Sequence, residues 1–428
     1  MEKIIFGLDI GTTKIVCLAG KLNVNGKLDV LAVGRSKSLG VKRGVVNNIM
    51  QTVESINHAV KLVNDQLDIN VKCVCTGIAG QHIRSLQHSD YIIREDPEKF
   101  IDESDLSRLH ANVKKLILLP GEEIIHVLPQ EYKVDVEPNI VEPVGMYGNR
   151  LEANFHIVAG QIASIKNISR CVMTSGLTIS ALNLEPLASA DAVLSKDEKE
   201  AGVVLVDIGG GTTDLAIFKN GLIRHTAVIP FGGNVITDDI KEGCSIIDRD
   251  AELLKVRFGS AWPGESKDTD IVSIPGLRGG EPKEVSLKNL SGIIKARVEE
   301  IIDQVYRQIV SYGYQEGKNK LVAGIVLTGG GAQLKHIKQL TEYVTGMHTR
   351  IGYADEHLAK GNIKDIANPS YATSVGLVLR RLKANNLEDV SSNEDDLVTQ
   401  DKETLPGGDD FFENWSKKVL NFLLNEKE

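Results

Sequence analysis

The sequence predicts an α/β protein made of two related halves, and three observations indicate this. Residues 4–20 and 202–218 each contain an apolar, β-branched run, then Asp-Ile-Gly, then Thr-Thr and a second apolar run. Gly and Thr between two strand-length runs predict a β-hairpin in both places. Strand-like and helix-like segments alternate along the rest of the chain. A similar hairpin repeated roughly 200 residues later indicates related halves rather than a short-period solenoid.

Other segments follow the periods of helices and strands in chain order. Apolar residues at helical spacing predict a helix over residues 46–62, and residues 71–79 predict a strand. Residues 293–310 place their apolar residues on one stripe, which predicts a long amphipathic helix. The apolar run 322–327 predicts a strand, and a helix is expected over residues 333–343. These alternating elements agree with the α/β class.

Two segments depart from this alternation. Residues 260–285 are rich in Gly, Pro and charge, and they predict a mobile loop. Residues 385–410 are polar and acidic with no apolar period, which predicts a linker. This linker holds nine acidic residues and one lysine, a net charge of −8, out of −9 for the whole chain. The acidity therefore belongs to the linker, and the folded body is nearly neutral.

Composition excludes several function classes. A chain of 428 residues with 25% charged and 42% hydrophobic residues is neither wholly disordered nor a multi-pass membrane protein. The net charge of −9 argues against a nucleic-acid partner. Five cysteines fit a reducing compartment, and Cys73 and Cys75 are expected to be core residues of a strand rather than zinc ligands. Without a signal sequence or an apolar run of about 18 residues, a cytoplasmic protein is expected.

The two Asp-Ile-Gly turns and a triple glycine at residues 329–331 predict a phosphate-binding site. Tight turns present backbone N–H groups and hydroxyls to an anion. Asp9 and Asp207, each at the end of a first strand, are expected to hold Mg²⁺ through its water molecules, and Lys14 adds a positive charge. A glycine turn lets a flat adenosine lie against the backbone. One copy alone would be no more than a turn signal, but two copies and the triple glycine favour the site.

The residues expected to line the site are Gly11, Thr12, Thr13 and Lys14 of the first turn, Gly209, Gly210, Gly211, Thr212 and Thr213 of the second, and Gly329, Gly330 and Gly331. The chain has neither a P-loop nor a G-x-G-x-x-G turn after a strand, so the two commonest phosphate-binding turns are excluded.

In order and spacing these motifs resemble the actin/Hsp70/sugar-kinase superfamily, in which two lobes close on ATP·Mg²⁺ in a central cleft. The resemblance extends to the pair Glu252 and Lys255, which is similar to the Glu-x-x-Lys helix that reaches adenosine. It also extends to a glycine turn beside the nucleotide, formed here by Gly232, Gly233 and Asn234. Residues 185–190 and 368–376 fall where the two connections between the lobes are expected. By this position, Glu185 is the candidate that orients water toward the γ-phosphate.

Three further features resemble the FtsA family of bacterial cell-division proteins. Residues 40–46 carry Gly-Val-Lys-Arg-Gly-Val-Val before a predicted helix. Residues 129–158 contain a Pro-Gln-Glu-Tyr segment and then a Pro-Val-Gly-Met segment. The third feature is the acidic linker followed by an apolar segment at 411–428. The resemblance covers about residues 1–383 together with that terminal segment.

This resemblance implies an actin-like, two-lobed ATPase fold and a cytoskeletal adaptor whose ATP turnover, if any, is slow. FtsA ties the FtsZ ring to the inner membrane, so the expected partners are the FtsZ C-terminal peptide, further copies in a filament, the membrane surface and later division proteins. The expected location is peripheral, on the cytoplasmic face of the inner membrane at the division site.

The resemblance also implies how the chain divides into domains. The implied divisions are a first lobe of 1–84, 167–198 and 368–384, an inserted, filament-contacting subdomain of 85–166, a second lobe of 199–235 and 301–367, a small FtsZ-binding subdomain of 236–300, the linker 385–410 and a terminal helix 411–428.

The terminal segment predicts an amphipathic, membrane-binding helix. Its apolar stripe consists of Phe411, Phe412, Trp415, Val419, Phe422 and Leu423, flanked by Lys417 and Lys418. Large aromatic residues on one face beside lysines suit insertion at the headgroup boundary of a bilayer. The alternative is a helix docked on the protein's own core, which the long acidic linker disfavours.

Three other functions remain open at this point. A pilus-assembly actin homologue should lack the terminal amphipathic helix. A superfamily kinase would need a substrate pocket with a catalytic aspartate. An Hsp70-type chaperone would carry a folded peptide-binding domain after residue 380, where this chain has its acidic linker. His110, His126 and His225 have no partner constellation in the sequence and are interpreted as structural.

Overall fold

The computed structural model describes residues 4–267, 269–276, 281–314, 320–359 and 366–395. The strands are β1 (Ile5–Ile10), β2 (Lys14–Leu22), β3 (Leu28–Lys37), β4 (Val41–Lys42), β5 (Val45–Val46), β6 (Cys73–Ile78), β7 (Ile83–Ile93), β8 (Glu122–Val134), β9 (Glu137–Ile140), β10 (Arg150–Gln161), β11 (Thr178–Leu184), β12 (Val203–Ile208), β13 (Thr213–Lys219), β14 (Leu222–Ile229), β15 (Ile271–Ile274), β16 (Lys283–Ser286), β17 (Gly324–Thr328) and β18 (Thr349–Ile351). The α-helices are α1 (Ile49–Leu67), α2 (Glu103–Val113), α3 (Ile162–Thr174), α4 (Glu185–Val193), α5 (Lys196–Ala201), α6 (Gly233–Gly243), α7 (Asp248–Phe258), α8 (Leu287–Ser311), α9 (Ile337–Thr345) and α10 (Ala372–Asp395). No helix of the described ranges is long and apolar enough to cross a membrane.

Two five-stranded sheets with the same topology form the two lobes. The first has the order β11-β6-β1-β2-β3 and the second the order β18-β17-β12-β13-β14. In each sheet, the antiparallel hairpin pairs on one side with a third antiparallel strand and on the other side with two parallel strands. The hairpin β1–β2 and the hairpin β12–β13 are the two that the sequence predicts. The prediction of two related halves is therefore confirmed.

A separate four-stranded sheet forms an inserted subdomain between β6 and α3. Its order is β7-β10-β8-β9, all antiparallel, and α2 packs on it over a small core that includes Leu109, Leu151 and Phe155. The subdomain contacts the second lobe through β14, the edge strand of that sheet. Ser85 Oγ donates a hydrogen bond to the Thr226 carbonyl oxygen at 2.7 Å. Because side chains of the insert bond this edge, the strand is not left open to pair with another chain.

The small subdomain of the second lobe consists of α6, α7 and the hairpin β15–β16, with α8 packed against α6 and β16. The predicted mobile loop over 260–285 is therefore wrong in part, since Ile271–Ile274 and Lys283–Ser286 form this hairpin. The hairpin forms because apolar residues alternate along its strands, so that Ile274 and Val285 are buried in the core of the lobe. Residues 268 and 277–280 lie outside the described ranges.

Two further predictions need correction. Cys75 is buried, as expected, but Cys73 is exposed. Cys73 is the first residue of β6, at the end of the strand, whereas every later residue of β6 is buried. The linker predicted from residue 385 begins later, because α10 continues as a helix to Asp395. A helix that has already been nucleated by packing extends at little cost per residue. Residues 396–428, and with them the rest of the predicted linker and the terminal helix, lie outside the described part of the chain.

Helices α4 and α10 cross between the two lobes. Helix α10 packs on β1, β2 and β6 of the first lobe, while α4 packs on β12 and β13 of the second. The crossing is close, since a Cβ atom added to Gly376 would lie 1.8 Å from the Ala188 carbonyl oxygen. Asp191 of α4 accepts hydrogen bonds from Arg380 at 3.0 Å and from Lys199 at 2.9 Å. The lobes are thus joined by tightly packed backbone and by paired charges.

Candidate nucleotide site

The two Asp-Ile-Gly turns have the same local geometry. The Gly11 N–H donates to the Lys14 carbonyl oxygen at 3.1 Å, and the Gly209 N–H donates to the Thr212 carbonyl oxygen at 2.9 Å. Each bond closes the turn three residues on, directly after the strand that carries the aspartate. A side chain on either glycine would crowd the carbonyl oxygen to which that glycine's N–H donates. The sequence repeat is therefore a repeat in structure.

The turns meet each other across the cleft between the lobes. A Cβ atom added to Gly210 would lie 1.9 Å from Thr13 Oγ1, and one added to Gly211 would lie 2.7 Å from Thr12 Oγ1. Thr12 Oγ1 also accepts a hydrogen bond from the Gly44 N–H at 3.1 Å. The predicted phosphate-binding residues of both lobes are therefore brought together. Thr213 faces away from the cleft, because its hydroxyl donates to the Phe231 carbonyl oxygen at 2.8 Å.

Asp9 is buried and Asp207 is partly exposed, and both of these predicted metal-holding aspartates accept hydrogen bonds. Asp9 Oδ2 accepts a hydrogen bond from Ser374 Oγ at 3.0 Å. Asp207 Oδ2 accepts hydrogen bonds from Ser189 Oγ at 2.7 Å and from Thr373 Oγ1 at 3.3 Å. Burial raises the pKa of Asp9 to about 6, against the opposing effect of the Lys14 charge. Burial likewise raises the pKa of Asp207.

Lys14 lies beside these carboxylates. Its Nζ donates to the Ser370 carbonyl oxygen and lies 4.0 Å from the centre of the Tyr371 ring. Burial lowers the pKa of Lys14 to about 8, while the charge of Asp9 raises it. The ammonium is thus held over a ring face, where a cation is attracted by the π-electrons.

Asp214 is a site residue that the sequence analysis missed. It lies directly opposite Asp207 in the hairpin, where the first lobe has Val16 opposite Asp9. Its Oδ2 accepts a hydrogen bond from Thr212 at 2.9 Å, whereas its buried Oδ1 has no hydrogen-bond partner. Burial, and then the nearby Asp207, raise the pKa of Asp214 to about 7. One signal could have revealed it: Asp214 follows Thr-Thr, as Lys14 does in the first repeat.

Glu185 opens α4 at the cleft and completes a group of four carboxylates. Gly77 of β6 makes room for it, since a Cβ atom there would lie 2.6 Å from Glu185 Cγ. Burial raises the pKa of Glu185 well above its usual value, and the charges of Asp9, Asp214 and Asp207 raise it further. A raised pKa makes this carboxylate a stronger base than a free glutamate, which suits a group that accepts a proton from water.

The triple glycine after β17 has two closed positions and one open position. Gly329 has φ of +83°, and a Cβ atom there would lie 2.3 Å from Asp207 Oδ1. A Cβ atom on Gly331 would lie 2.3 Å from Ile208 Cγ2. Gly330 has a helical φ of −63°, and a Cβ atom there would meet nothing within 4 Å. Of the three glycines, Gly330 is therefore the one at which a side chain would meet no neighbour.

The second glycine turn and the Glu-x-x-Lys helix are joined to the second Asp-Ile-Gly turn. The Gly233 N–H donates to the Gly209 carbonyl oxygen at 2.9 Å, and the Asn234 N–H donates to that of Gly210 at 2.8 Å. A Cβ atom on Gly232 would lie 2.6 Å from the Gly209 carbonyl oxygen. In α7, Lys255 Nζ lies 2.9 Å from the Gly233 carbonyl oxygen and 2.6 Å from Glu252 Oε2. The predicted adenosine contacts therefore border the predicted phosphate contacts.

The residues present fit a nucleotide and a hard cation. The donors are carboxylates and hydroxyls, the oxygen ligands that Mg²⁺ prefers. Asp214 Oδ1 is a buried acceptor that no donor of the described residues meets. Within the described ranges no group of three or more His, Cys, Asp or Glu is gathered closely enough to enclose a bare ion. The eight predicted membrane-binding residues lie outside those ranges.

Comparisons with protein families and curated relatives point to one family. The family described as "Cell division protein FtsA" matches residues 204–376, and "SHS2 domain inserted in FTSA" matches residues 80–159. The FtsA of Pseudomonas aeruginosa is 37% identical over 381 residues, which cover 89% of this chain and 90% of that protein. The FtsA of Escherichia coli K12 is 34% identical over 382 residues, which cover 88% and 90%.

Solved structures support the same fold at low identity. A chain of the PilM-PilN type IV pilus biogenesis complex matches with a TM-score of 0.64 and 14% identity, covering 88% of this chain and 98% of that one. MreB5 of Spiroplasma citri bound to ADP matches with a TM-score of 0.51 and 15% identity, covering 91% and 98%. These likenesses show the actin-like fold alone, whereas the relatives of higher identity show the family. The chain, with its two actin-like lobes and its inserted SHS2 subdomain, belongs to the FtsA family of cell division proteins.

Proposed function

We propose that this chain is an ATP-binding, actin-like adaptor that polymerises, anchors the FtsZ ring to the cytoplasmic face of the inner membrane and recruits later division proteins. The observation that carries ATP binding is the pair of matching turns that meet across the cleft, with Asp9 and Asp207 behind them. A related fold binds a nucleotide, since MreB5 of Spiroplasma citri has been solved with ADP. The pilus-type, kinase and chaperone alternatives are weaker, because the curated relatives of 34% to 37% identity are cell division proteins.

Each part of the site has a role in this proposal. The phosphates would meet the Lys14 ammonium and the turn N–H groups other than those of Gly11 and Gly209, which close the turns. Asp9 and Asp207 are the residues that would hold Mg²⁺, and a bound ion would offset the phosphate charge. Glu185 accepts a proton from, or orients, the water that attacks the γ-phosphate. Burial and then the three neighbouring carboxylates raise the pKa of Glu185 and make it the stronger base. In this proposal ATP serves mainly to fix the closed form, and its turnover is slow.

Substitution of Gly330 tests ATP binding without disturbing the fold. Gly330→Leu places a side chain in the open space, at a position whose φ any L-residue adopts. We expect the affinity for Mg·ATP, measured by calorimetry, to fall at least tenfold while the melting temperature is unchanged. Gly292→Ala is the control, since its Cβ would also meet nothing but lies on α8, away from the cleft. Equal affinity in the two variants would contradict the assignment.

The membrane role rests on the sequence of the terminal segment. The apolar stripe from Phe411 to Leu423 supplies the burial, and the two lysines add a small attraction to anionic lipid. One such helix binds reversibly, so a filament would strengthen binding by presenting many helices together. Removal of residues 411–428 should abolish co-sedimentation with vesicles and leave ATP affinity unchanged. Vesicle binding that survives the truncation would exclude this segment as the anchor.

The small subdomain of residues 236–300 is the proposed FtsZ-binding surface. On α7, Leu253 and Val256 lie one turn apart and are exposed by 46% and 70%. Apolar residues exposed on one helix face suit a docked peptide. We expect Val256→Asp to weaken binding of the FtsZ C-terminal peptide in calorimetry, while Val24→Asp in the first lobe, where Val24 is 96% exposed, changes nothing. An undiminished affinity of Val256→Asp would exclude this face.

A further inference from the structure

Two consecutive hydroxyl side chains of α10 each bond a different aspartate. Ser374 Oγ donates to Asp9 Oδ2 at 3.0 Å, and Thr373 Oγ1 lies 3.3 Å from Asp207 Oδ2. Asp9 ends β1 in the first lobe, whereas Asp207 lies in β12 of the second. One turn of a single helix therefore contacts the predicted metal-holding carboxylates of both lobes.

Helix α4 completes this arrangement from the other side. Ser189 Oγ donates to Asp207 Oδ2 at 2.7 Å and lies 3.0 Å from Thr373 Oγ1. Ser189 and Ser374 are both fully buried. Since both helices cross between the lobes, all three hydroxyls come from the connection rather than from either sheet.

The position on α10 favours charged aspartates. Helix α10 begins at Ala372, so Thr373 and Ser374 belong to its first turn. The first turn of a helix carries partial positive charge and unpaired N–H groups, which stabilise nearby anions. A buried carboxylate also needs hydrogen-bond donors to stay ionised and in one orientation. Ser374 supplies such a donor to Asp9, and Ser189 with Thr373 supplies donors to Asp207.

We propose that Thr373 and Ser374 are positioning residues that fix the orientation of Asp207 and Asp9 toward the Mg²⁺ of a bound nucleotide. Because the two are adjacent on one rigid helix, they also set how the carboxylates of the two lobes lie relative to each other. The inference rests on the proposed function, in that it assumes the cleft binds Mg·nucleotide. It differs from a purely structural role, in which the hydroxyls would satisfy buried oxygens and leave metal-dependent binding unaffected.

The test compares nucleotide binding with and without the metal in the full-length chain. Thr373→Val and Ser374→Ala each remove one hydroxyl at nearly constant shape. We expect each variant to bind ATP about tenfold more weakly in Mg²⁺ and within twofold of wild type in EDTA. Thr373→Ser, which keeps the hydroxyl, should restore the affinity in Mg²⁺. Ser189→Ala is a third route to the same effect on Asp207, in case Thr373→Val does not fold.

Helix α9 offers a matched control for these variants. Thr341→Val is the same change in α9, where the buried hydroxyl bonds only the Ile337 carbonyl oxygen at 2.8 Å. It should leave the Mg²⁺-dependent affinity unchanged. If Thr373→Val and Ser374→Ala lose equal affinity with and without Mg²⁺, or lose none, the positioning role is overturned while ATP binding stands. If the wild-type chain binds no nucleotide, the proposed function itself falls, and this inference with it.

Discussion

At the crossing of α4 and α10, Gly376 leaves no room for even one added methyl group. A Cβ atom at this position would lie 1.8 Å from the carbonyl oxygen of Ala188 and 2.3 Å from its carbonyl carbon. Real Cβ contacts stay beyond 3.0 Å, so in Gly376→Ala the helices must separate by more than 1 Å. The neighbour is helix backbone, which cannot rotate out of the way as a side chain can.

The expected loss of stability in Gly376→Ala follows from the kind of contact that the added methyl group makes. Overpacking a core by one methyl group costs about 1–3 kcal/mol, and we expect about 3 kcal/mol here because backbone must move. At about 2–4 °C per kcal/mol, the melting temperature of Gly376→Ala should fall by about 6–12 °C. Nucleotide affinity should fall as well, because the same helices carry Ser189 and Thr373.

The assay is thermal unfolding followed by circular dichroism, with Gly292→Ala as the matched control. Gly292 also lies within a helix, but a Cβ atom there meets nothing within 4 Å. Alanine is the better helix former by about 0.8–1 kcal/mol, so this control should melt at or slightly above the wild-type temperature. If Gly376→Ala melted with Gly292→Ala, the close packing of the two connecting helices would be refuted.

Two further predictions concern single titratable residues. Glu185→Gln should lower ATP turnover, measured as phosphate release, by about 100-fold or more while ATP affinity changes little, and unchanged turnover would exclude it as the water-orienting group. The second residue is His156, which is buried. Its ring nitrogens lie 3.2 Å from Gln87 Nε2 and 3.0 Å from Thr226 Oγ1. Burial lowers the pKa of His156 from 6.5 to about 4. The unfolded chain therefore takes up this proton first, so stability is full above pH 6.5 and falls toward pH 4, by about 2 kcal/mol at pH 5. His156→Gln should reduce, but not abolish, this pH dependence in denaturant titrations at pH 5 and 7.5, because burial also lowers the pKa of His82 and His126. An unchanged pH dependence would contradict the assignment.

The two Asp-Ile-Gly turns could be predicted from local patterns, because the geometry of each turn is local. Each hairpin is closed by a hydrogen bond between residues three apart, so its sequence alone determines the turn. Gly329 and Gly331 could be predicted for the same reason, since glycine after a strand signals a turn. The fold class followed from the two hairpins, which share one topology in the two sheets.

What the sequence did not reveal depends on contacts between distant segments. Asp214 was missed because its importance comes from the register that sets it opposite Asp207. The hydroxyl donors to Asp9 and Asp207 come from helices that lie far along the chain, and no local pattern distinguishes Ser374 from any other serine. The start of the linker was predicted too early, because composition reports the polarity of residues 385–395 and not the packed helix that precedes them.

The proposed role of this chain is to connect FtsZ to a membrane, and vesicle flotation measures that connection. FtsZ from the same organism, kept unpolymerised in GDP, is mixed with anionic-lipid vesicles, Mg·ATP and the full-length chain. We predict that FtsZ floats with the vesicles when the full-length chain is present. It should stay in the dense fraction when the chain is omitted or lacks residues 411–428. Flotation of FtsZ to the same extent without the chain, or with the truncated chain, would contradict the claim.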